Sequence, residues 1–141
     1  KTVCKTTADF DWVGSSYYPE AAAKAGDLTI LGDKFALSSV VTNLVENAVK
    51  YSGPCAEIAV RLCQNDGKPF LTVSDKGPGI PDDEKMLIFD KFYRVGAENV
   101  RKSKGTGLGL FIVKEVLQNH DADISVKDNT PQGAIFEVTF N

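Results

Sequence analysis

The stretch "DKFALSSVVTNLVENAVKY", residues 33–51, decides how the rest of the chain is read. Leu37, Val40, Val41, Leu44, Val45 and Ala48 recur at i, i+3 and i+4, the apolar stripe of an amphipathic helix. Asp33 can cap its first turn, because a carboxylate there accepts from N–H groups that have no partner inside the helix. Gly53-Pro54 ends it. A second stripe is polar: Asn43, Asn47, Lys50 and Tyr51 lie three or four residues apart and project from one side. Asn is a mediocre helix former, so its use twice asks for a reason. A solvated face is one answer. A metal and phosphate site is the other, since an amide oxygen is a hard ligand suited to Mg²⁺ and a Lys one turn on can meet a phosphate.

Beyond this helix, "AEIAVRLC" at 56–63 alternates Ile58, Val60 and Leu62 with more polar neighbours, the pattern of a half-buried strand. "NDGK" at 65–68 signals a hairpin turn, and "PFLTVSD" at 69–75 is the returning strand. "SDKGPGIP" at 74–81 follows at once. It is either a plain turn or a strand end that holds the Asp75 carboxylate toward a ligand while Gly77 and Gly79 let that ligand approach. A carboxylate accepts, so it suits the exocyclic amine of a purine and not a phosphate.

Residues 76–104 are rich in Gly, Pro and charge, and irregular regions of that length are usually functional or mobile. They end in "SKGTGLGLFIVKE", 103–115, with glycines at 105, 107 and 109 immediately before a helix expected over about Leu108–Asn119. Unpaired N–H groups at a helix start favour anions, and glycines remove the Cβ atoms that would block access. The spacing is neither G-x-G-x-x-G nor G-x-x-x-x-G-K-[ST], so Rossmann and P-loop readings fail. Two strands, "DISVK" and "AIFEVTF", follow across the turn-like "DNTPQG". Upstream, residues 1–9 read as a strand or a fraying end, and Phe10–Ala25 as a helix that Pro19 could interrupt. Helices segregated on one face of a mostly antiparallel sheet fit this order.

The 141 residues suit one domain, and 43% hydrophobic with 25% charged residues is an ordinary globular balance. A net charge of -3 argues against a general nucleic-acid binder. Cys4, Cys55 and Cys63 have no C-x-x-C spacing, which favours reduced thiols over a metal site. No apolar stretch approaches the ~18 residues of a membrane span. The chain begins at Lys1 without an initiator Met, and it is expected to be a fragment of a longer protein.

Four pieces taken together resemble a known family. "NLVENAVKY" at 43–51, "DKGPGIP" at 75–81, "IFDKFYR" at 88–94 and "GTGLGL" at 105–110 look like the N, G1, F and G2 boxes of sensor histidine kinases. The relevant part is their catalytic ATP-binding (HATPase) domain, of the superfamily shared with gyrase, Hsp90 and MutL. The resemblance covers residues 27–141 and implies an α+β two-layer sandwich, the Bergerat ATP-binding fold. Its mixed, mostly antiparallel sheet would pack on about three helices. The resemblance also implies a single catalytic domain over 1–141, cytoplasmic, in a parent that is membrane-anchored.

By this similarity Asn47 would ligate Mg²⁺ and Asn43 would support the site from one turn earlier. The gyrase-like branch has a Glu general base at the position of Asn43, and an Asn there agrees with a kinase. Lys50 would contact phosphate and Tyr51 would pack near the nucleoside. Asp75 would accept from the adenine amine, with Gly77, Gly79 and Ile80 forming the base pocket. Phe89 and Phe92 would be aromatic anchors, Phe92 also near the nucleotide, and Arg94 would reach the terminal phosphate or the helix carrying the acceptor histidine. Val95 to Lys104 would be an ATP lid, disordered without nucleotide, with Arg101, Lys102 and Lys104 as its basic cluster. Gly105, Thr106, Gly107, Leu108, Gly109 and Leu110 would hinge the lid, offer N–H groups to the phosphates and anchor the helix.

Two positions depart from the family pattern. His120-Asp121-Ala122 stands where His-Gly-Gly is frequent, and Gly133-Ala134 stands where many relatives have Gly-Thr. The lone His120 reads as a helix-end residue, not as a phosphoacceptor. The expected function is Mg²⁺-ATP binding and donation of the γ-phosphoryl group to a histidine on the parent's dimerisation domain, with a response regulator downstream. The alternatives are a serine kinase of the anti-sigma type, against which "IFDKFYR" argues, and a catalytically silent nucleotide sensor.

Overall fold

Helix α1, Lys34–Ser52, forms where the apolar stripe and its punctuation place it. The computed structural model describes residues 2–5, 29–53, 57–96 and 105–141. Asp33 caps α1 by accepting from the N–H groups of Phe35 at 2.8 Å and Ala36 at 3.0 Å. Gly53 ends it at φ 75°, a left-handed conformation that favours glycine. Leu37, Val40, Leu44 and Ala48 face inward and are buried.

Strands β1, Thr2–Lys5, and β2, Thr29–Gly32, pair antiparallel as a separate two-stranded sheet. The helix expected at 10–25 lies outside the described residues. Strands β3, Ile58–Asn65, and β4, Lys68–Asp75, make the expected hairpin. Its two turn residues, Asp66 at φ 50° and Gly67 at φ 79°, are both left-handed, the geometry that matches the twist of paired strands. A short 3₁₀ turn, Leu87–Phe89, interrupts the long connection to helix α2, Gly109–Gln118. Strands β5, Ala122–Asp128, and β6, Ala134–Phe140, complete the chain.

The four-stranded sheet runs β3-β4-β6-β5, and β6 inserts between β4 and β5. Each of its pairings is antiparallel, so the mixed component expected from the family pattern is absent among the described residues. Alternate β6 residues Ala134, Phe136, Val138 and Phe140 are buried, as are Leu71 and Val73 on β4. Both α-helices lie on that face, with Val113 and Leu117 of α2 buried beside Leu44 of α1. Burial of each such Leu or Val contributes roughly 1.5–3 kcal/mol. The result is the two-layer α+β sandwich, with α1 and α2 supplying its helical layer among the described residues. No described helix is long and apolar enough to cross a membrane.

Candidate nucleotide site

The sandwich brings three segments together around the polar side of α1. Its C-terminal half faces the glycine run that starts α2. A methyl group added at Gly109 would stand 3.0 Å from Asn43 Oδ1, and one at Gly105 would stand 2.6 Å from Lys50 Nζ. The Asn43 Nδ2 donates back to the Ser39 carbonyl at 2.8 Å, which fixes the amide with its oxygen toward α2. Lys50 Nζ donates to Tyr51 Oη at 3.3 Å and lies 4.9 Å from that ring's centre. At the end of α1 the Tyr51 carbonyl oxygen would be 3.0 Å from a Cβ at Gly77. Helix α1 is therefore wedged between the loop that follows Asp75 and the glycines that precede α2.

Asp75 closes β4 and is buried, 5% exposed. Both hydrogen bonds to its carboxylate fall on Oδ1, from Gly77 N–H at 2.7 Å and Ala134 N–H at 3.4 Å. Its backbone is clamped as well. The Asn129 Nδ2 donates to the Asp75 carbonyl at 2.7 Å, and Gln132 Nε2 donates to the Lys76 carbonyl at 3.3 Å. Asp75 is the one buried charged residue of the described core, and these partners offset part of the cost of burying it. Beside it a cavity of about 370 Å³ opens between Pro78–Pro81 and the turn at 129–133. Gly79 and Ile80 line it, while Asp75, Gly77, Asn47, Lys50 and the glycine run do not.

The start of α2 matches an anion cradle in its chemistry. Leu108 stands at its N-cap and supplies no side-chain cap, so the first-turn N–H groups are not spent on a capping side chain. Gly107 has φ 72°, and a Cβ there would meet the Phe92 carbonyl carbon at 2.9 Å and the Tyr93 oxygen at 3.0 Å. The Phe92 N–H donates to the Gly107 carbonyl at 3.0 Å, tying the "IFDKFYR" segment to the glycine run. Leu110 packs against the core, Leu108 is half-buried and Thr106 is exposed. No cluster of three or more His, Cys, Asp or Glu suited to a metal occurs among the described residues. A divalent ion here would depend on amide oxygens, hard donors of the kind that suit Mg²⁺.

Two expectations need separating. Phe89 is the anchor it was expected to be, 5% exposed and edge-on to Phe136 at 6.4 Å between ring centres. Phe92 is not an anchor: it is 64% exposed, with φ 66°. The left-handed turn at Phe92 swings its ring out and the next residue in. Tyr93 takes the packing role, half-buried against the core with its hydroxyl donating to Glu84 Oε2 at 2.9 Å. Burial and that carboxylate push the Tyr93 hydroxyl above its ordinary range.

Asn47 is half-buried on the same stripe as Asn43, and Arg94 is half-buried directly after Tyr93. Arg101, Lys102, Lys104 and the lid from 97 onward lie outside the described residues. The sequence singles out neither Asn129 nor Tyr93, and Gly133 stands out there only as part of a departure from the family pattern. The contacts of Asn129 and Gly133 come from the distant Asp75, and Tyr93 is set apart only by the backbone turn at Phe92.

The chain is similar to known proteins in sequence and fold. The sequence pattern described as "Histidine kinase-, DNA gyrase B-, and HSP90-like ATPase" matches residues 32–141. The sensor protein CiaH of Streptococcus pneumoniae is 42% identical over 110 residues, 78% of this chain and 25% of that protein. The signal transduction histidine-protein kinase/phosphatase MprB of Mycobacterium tuberculosis is 44% identical over 105 residues, 74% of this chain and 20% of that protein. A solved structure of the mycobacterial sensor histidine kinase MprB superposes with a TM-score of 0.73 at 34% identity, covering 83% of this chain and 77% of that one. Full-length ShkA in complex with AMPPNP superposes with a TM-score of 0.69 at 29% identity, covering 82% of this chain and 23% of that one. The chain thus spans a quarter or less of the length of these curated relatives.

Proposed function

The chain belongs to the histidine kinase-, DNA gyrase B- and HSP90-like ATPase family, and from that premise we propose that it binds Mg²⁺-ATP and presents the γ-phosphoryl group to a histidine of its parent sensor kinase. The acceptor would sit on the parent's dimerisation domain, and a response regulator would receive the phosphoryl group next. Residues 1–141 would then be one catalytic domain of a longer, membrane-anchored protein, on its cytoplasmic side. One observation carries this reading. Helix α1 stands between the Asp75 loop and the glycine run, with Lys50 Nζ and Asn43 Oδ1 against Gly105 and Gly109.

The roles follow from chemistry. Asp75 uses Oδ1 for backbone donors, and its other oxygen accepts from the adenine amine. Gly77 keeps the space between that carboxylate and the Tyr51 carbonyl clear, and Gly79 with Ile80 walls the base. Asn47 and Asn43 offer amide oxygens to Mg²⁺, and Lys50 neutralises phosphate charge. Gly105, Gly107 and Gly109 admit phosphate oxygens to the backbone N–H groups where α2 begins. Arg94 completes the set toward the terminal phosphate or the acceptor helix. Bound ATP supplies the group transferred. The chain's own contribution is positioning and charge neutralisation, which dominate phosphoryl transfer.

Isothermal titration of the chain with AMPPNP, with Mg²⁺ and then with EDTA, tests the binding half. Saturable binding that weakens without Mg²⁺ is expected. An absence of heat and of any thermal shift at millimolar nucleotide overturns it. Transfer of labelled γ-phosphate from the chain to a separately produced dimerisation fragment of the parent tests the second half.

A further inference from the structure

His120 is the one histidine of the chain, and the nucleotide site makes no use of it. It follows the C-terminus of α2 and is half-buried. Its Nε2 accepts from the Asp33 backbone N–H at 3.0 Å, and its Nδ1 lies 2.6 Å from the Val116 carbonyl oxygen. An Nε2 that accepts carries no proton, so the ring is the neutral tautomer with Nδ1–H donating to Val116. The imidazole therefore joins the last turn of α2 to the N-cap residue of α1. Space for it is provided by Gly32, where a methyl group would stand 2.6 Å from His120 Cδ2 and 3.1 Å from Nε2.

The two helices run antiparallel: Asp33 meets His120, Asn43 meets Gly109 and Lys50 meets Gly105. At about 1.5 Å per residue, Asn43 lies about 15 Å and Lys50 about 25 Å along α1 from that junction. Apolar packing between helices is non-directional, and a directional hydrogen bond adds a fixed end point to it. We propose that His120 is a positioning residue, a pin that sets the axial register of α1 on α2 and so aligns Asn43 and Lys50 with the glycine cradle. This rests on the nucleotide reading for its consequence, but the register itself is measurable without nucleotide.

Three substitutions separate the bonds. His120→Asn keeps a donor at the Nδ1 position and removes the acceptor for Asp33. His120→Gln keeps an acceptor near the Nε2 position and removes the donor to Val116. Gly32→Ala leaves both partners intact and displaces the ring. NMR of the free chain reads the register through the contacts between Asn43 side-chain protons and Gly109 Hα, with exchange of the Asp33 amide and the ¹⁵N shifts of the single imidazole alongside. Titration with AMPPNP and Mg²⁺, at a temperature where every variant is folded, reads the consequence. Expected are an Nε2 without a proton in the wild-type chain, then weakened Asn43–Gly109 contacts and roughly tenfold weaker nucleotide binding in His120→Asn and Gly32→Ala, with near-normal values in His120→Gln. Asn43–Gly109 contacts unchanged in His120→Asn overturn the pin, whether or not nucleotide binds. Wild-type chain that shows the contacts and fails to bind nucleotide overturns the functional reading and leaves the register result standing.

Discussion

At Gly133 a methyl group would stand 2.0 Å from the Asp75 carbonyl oxygen, on a backbone already at φ 113°. No flexible side chain can yield there, because the obstructing atom belongs to the strand that ends in the buried carboxylate. Gly133→Ala is expected to destabilise the chain by roughly 3 kcal/mol or more in urea unfolding, combining strain with displaced backbone. Asp75→Asn should behave differently. The Asn oxygen can still accept from Gly77 and Ala134, so folding survives, while an NH₂ replaces the acceptor proposed to face adenine. Nucleotide affinity should fall by roughly 10- to 100-fold, the worth of a hydrogen bond to a charged group, as read by calorimetric titration. A fold-change near one would remove Asp75 from the base pocket. The same scale explains Phe92 and Tyr93. The sequence marks Phe92 as the packing residue, and a single left-handed residue gives that role to Tyr93 instead.

At the scale of the element, α1 depends on its first turn as well as on its apolar stripe. The N–H groups of Ala36 and Phe35 hold the Asp33 carboxyl below its usual range. A folded pKa lower than the unfolded one means that the cap stabilises fully above the unfolded value of about 3.9, and that this is lost as pH falls through the folded value. The melting temperature of Asp33→Ala should therefore sit a few degrees below wild type near neutral pH. That gap should hold down to about pH 5 and narrow below about pH 4. A gap independent of pH would show that the carboxylate charge contributes nothing to the cap. Helix α2 has the opposite arrangement, with Leu108 at its N-cap and no capping side chain. One helix spends its N-terminus on stability. The other keeps its N-terminus for the proposed ligand.

At the scale of the molecule, stability and ligand binding should be linked. A ligand that binds only the folded chain stabilises it by RT ln(1 + [L]/Kd), about 2.7 kcal/mol at a hundred times Kd. AMPPNP with Mg²⁺ should raise the melting temperature, and EDTA should reverse part of that rise. An unchanged melting temperature at saturating nucleotide would contradict the linkage. The four-stranded sheet and the two helices share one core among the described residues, so the shift should appear as a single displaced transition.

Elements were readable because their causes are local. The stripe from Leu37 to Ala48, the Asp-Gly turn and the alternation of β6 each act over a few residues, and α1, the β3–β4 hairpin, α2 and β6 formed within one or two residues of where the pattern placed them. The four boxes also named their family, since motif order and spacing survive without knowledge of packing. Strand order, with β6 between β4 and β5, was not written in any window of residues, nor was the clamp of Asn129 and Gly133 on Asp75 or the bond from Asp33 to His120, 87 residues apart. Those depend on which distant backbones share a face once the core is buried, and only the folded chain decides that.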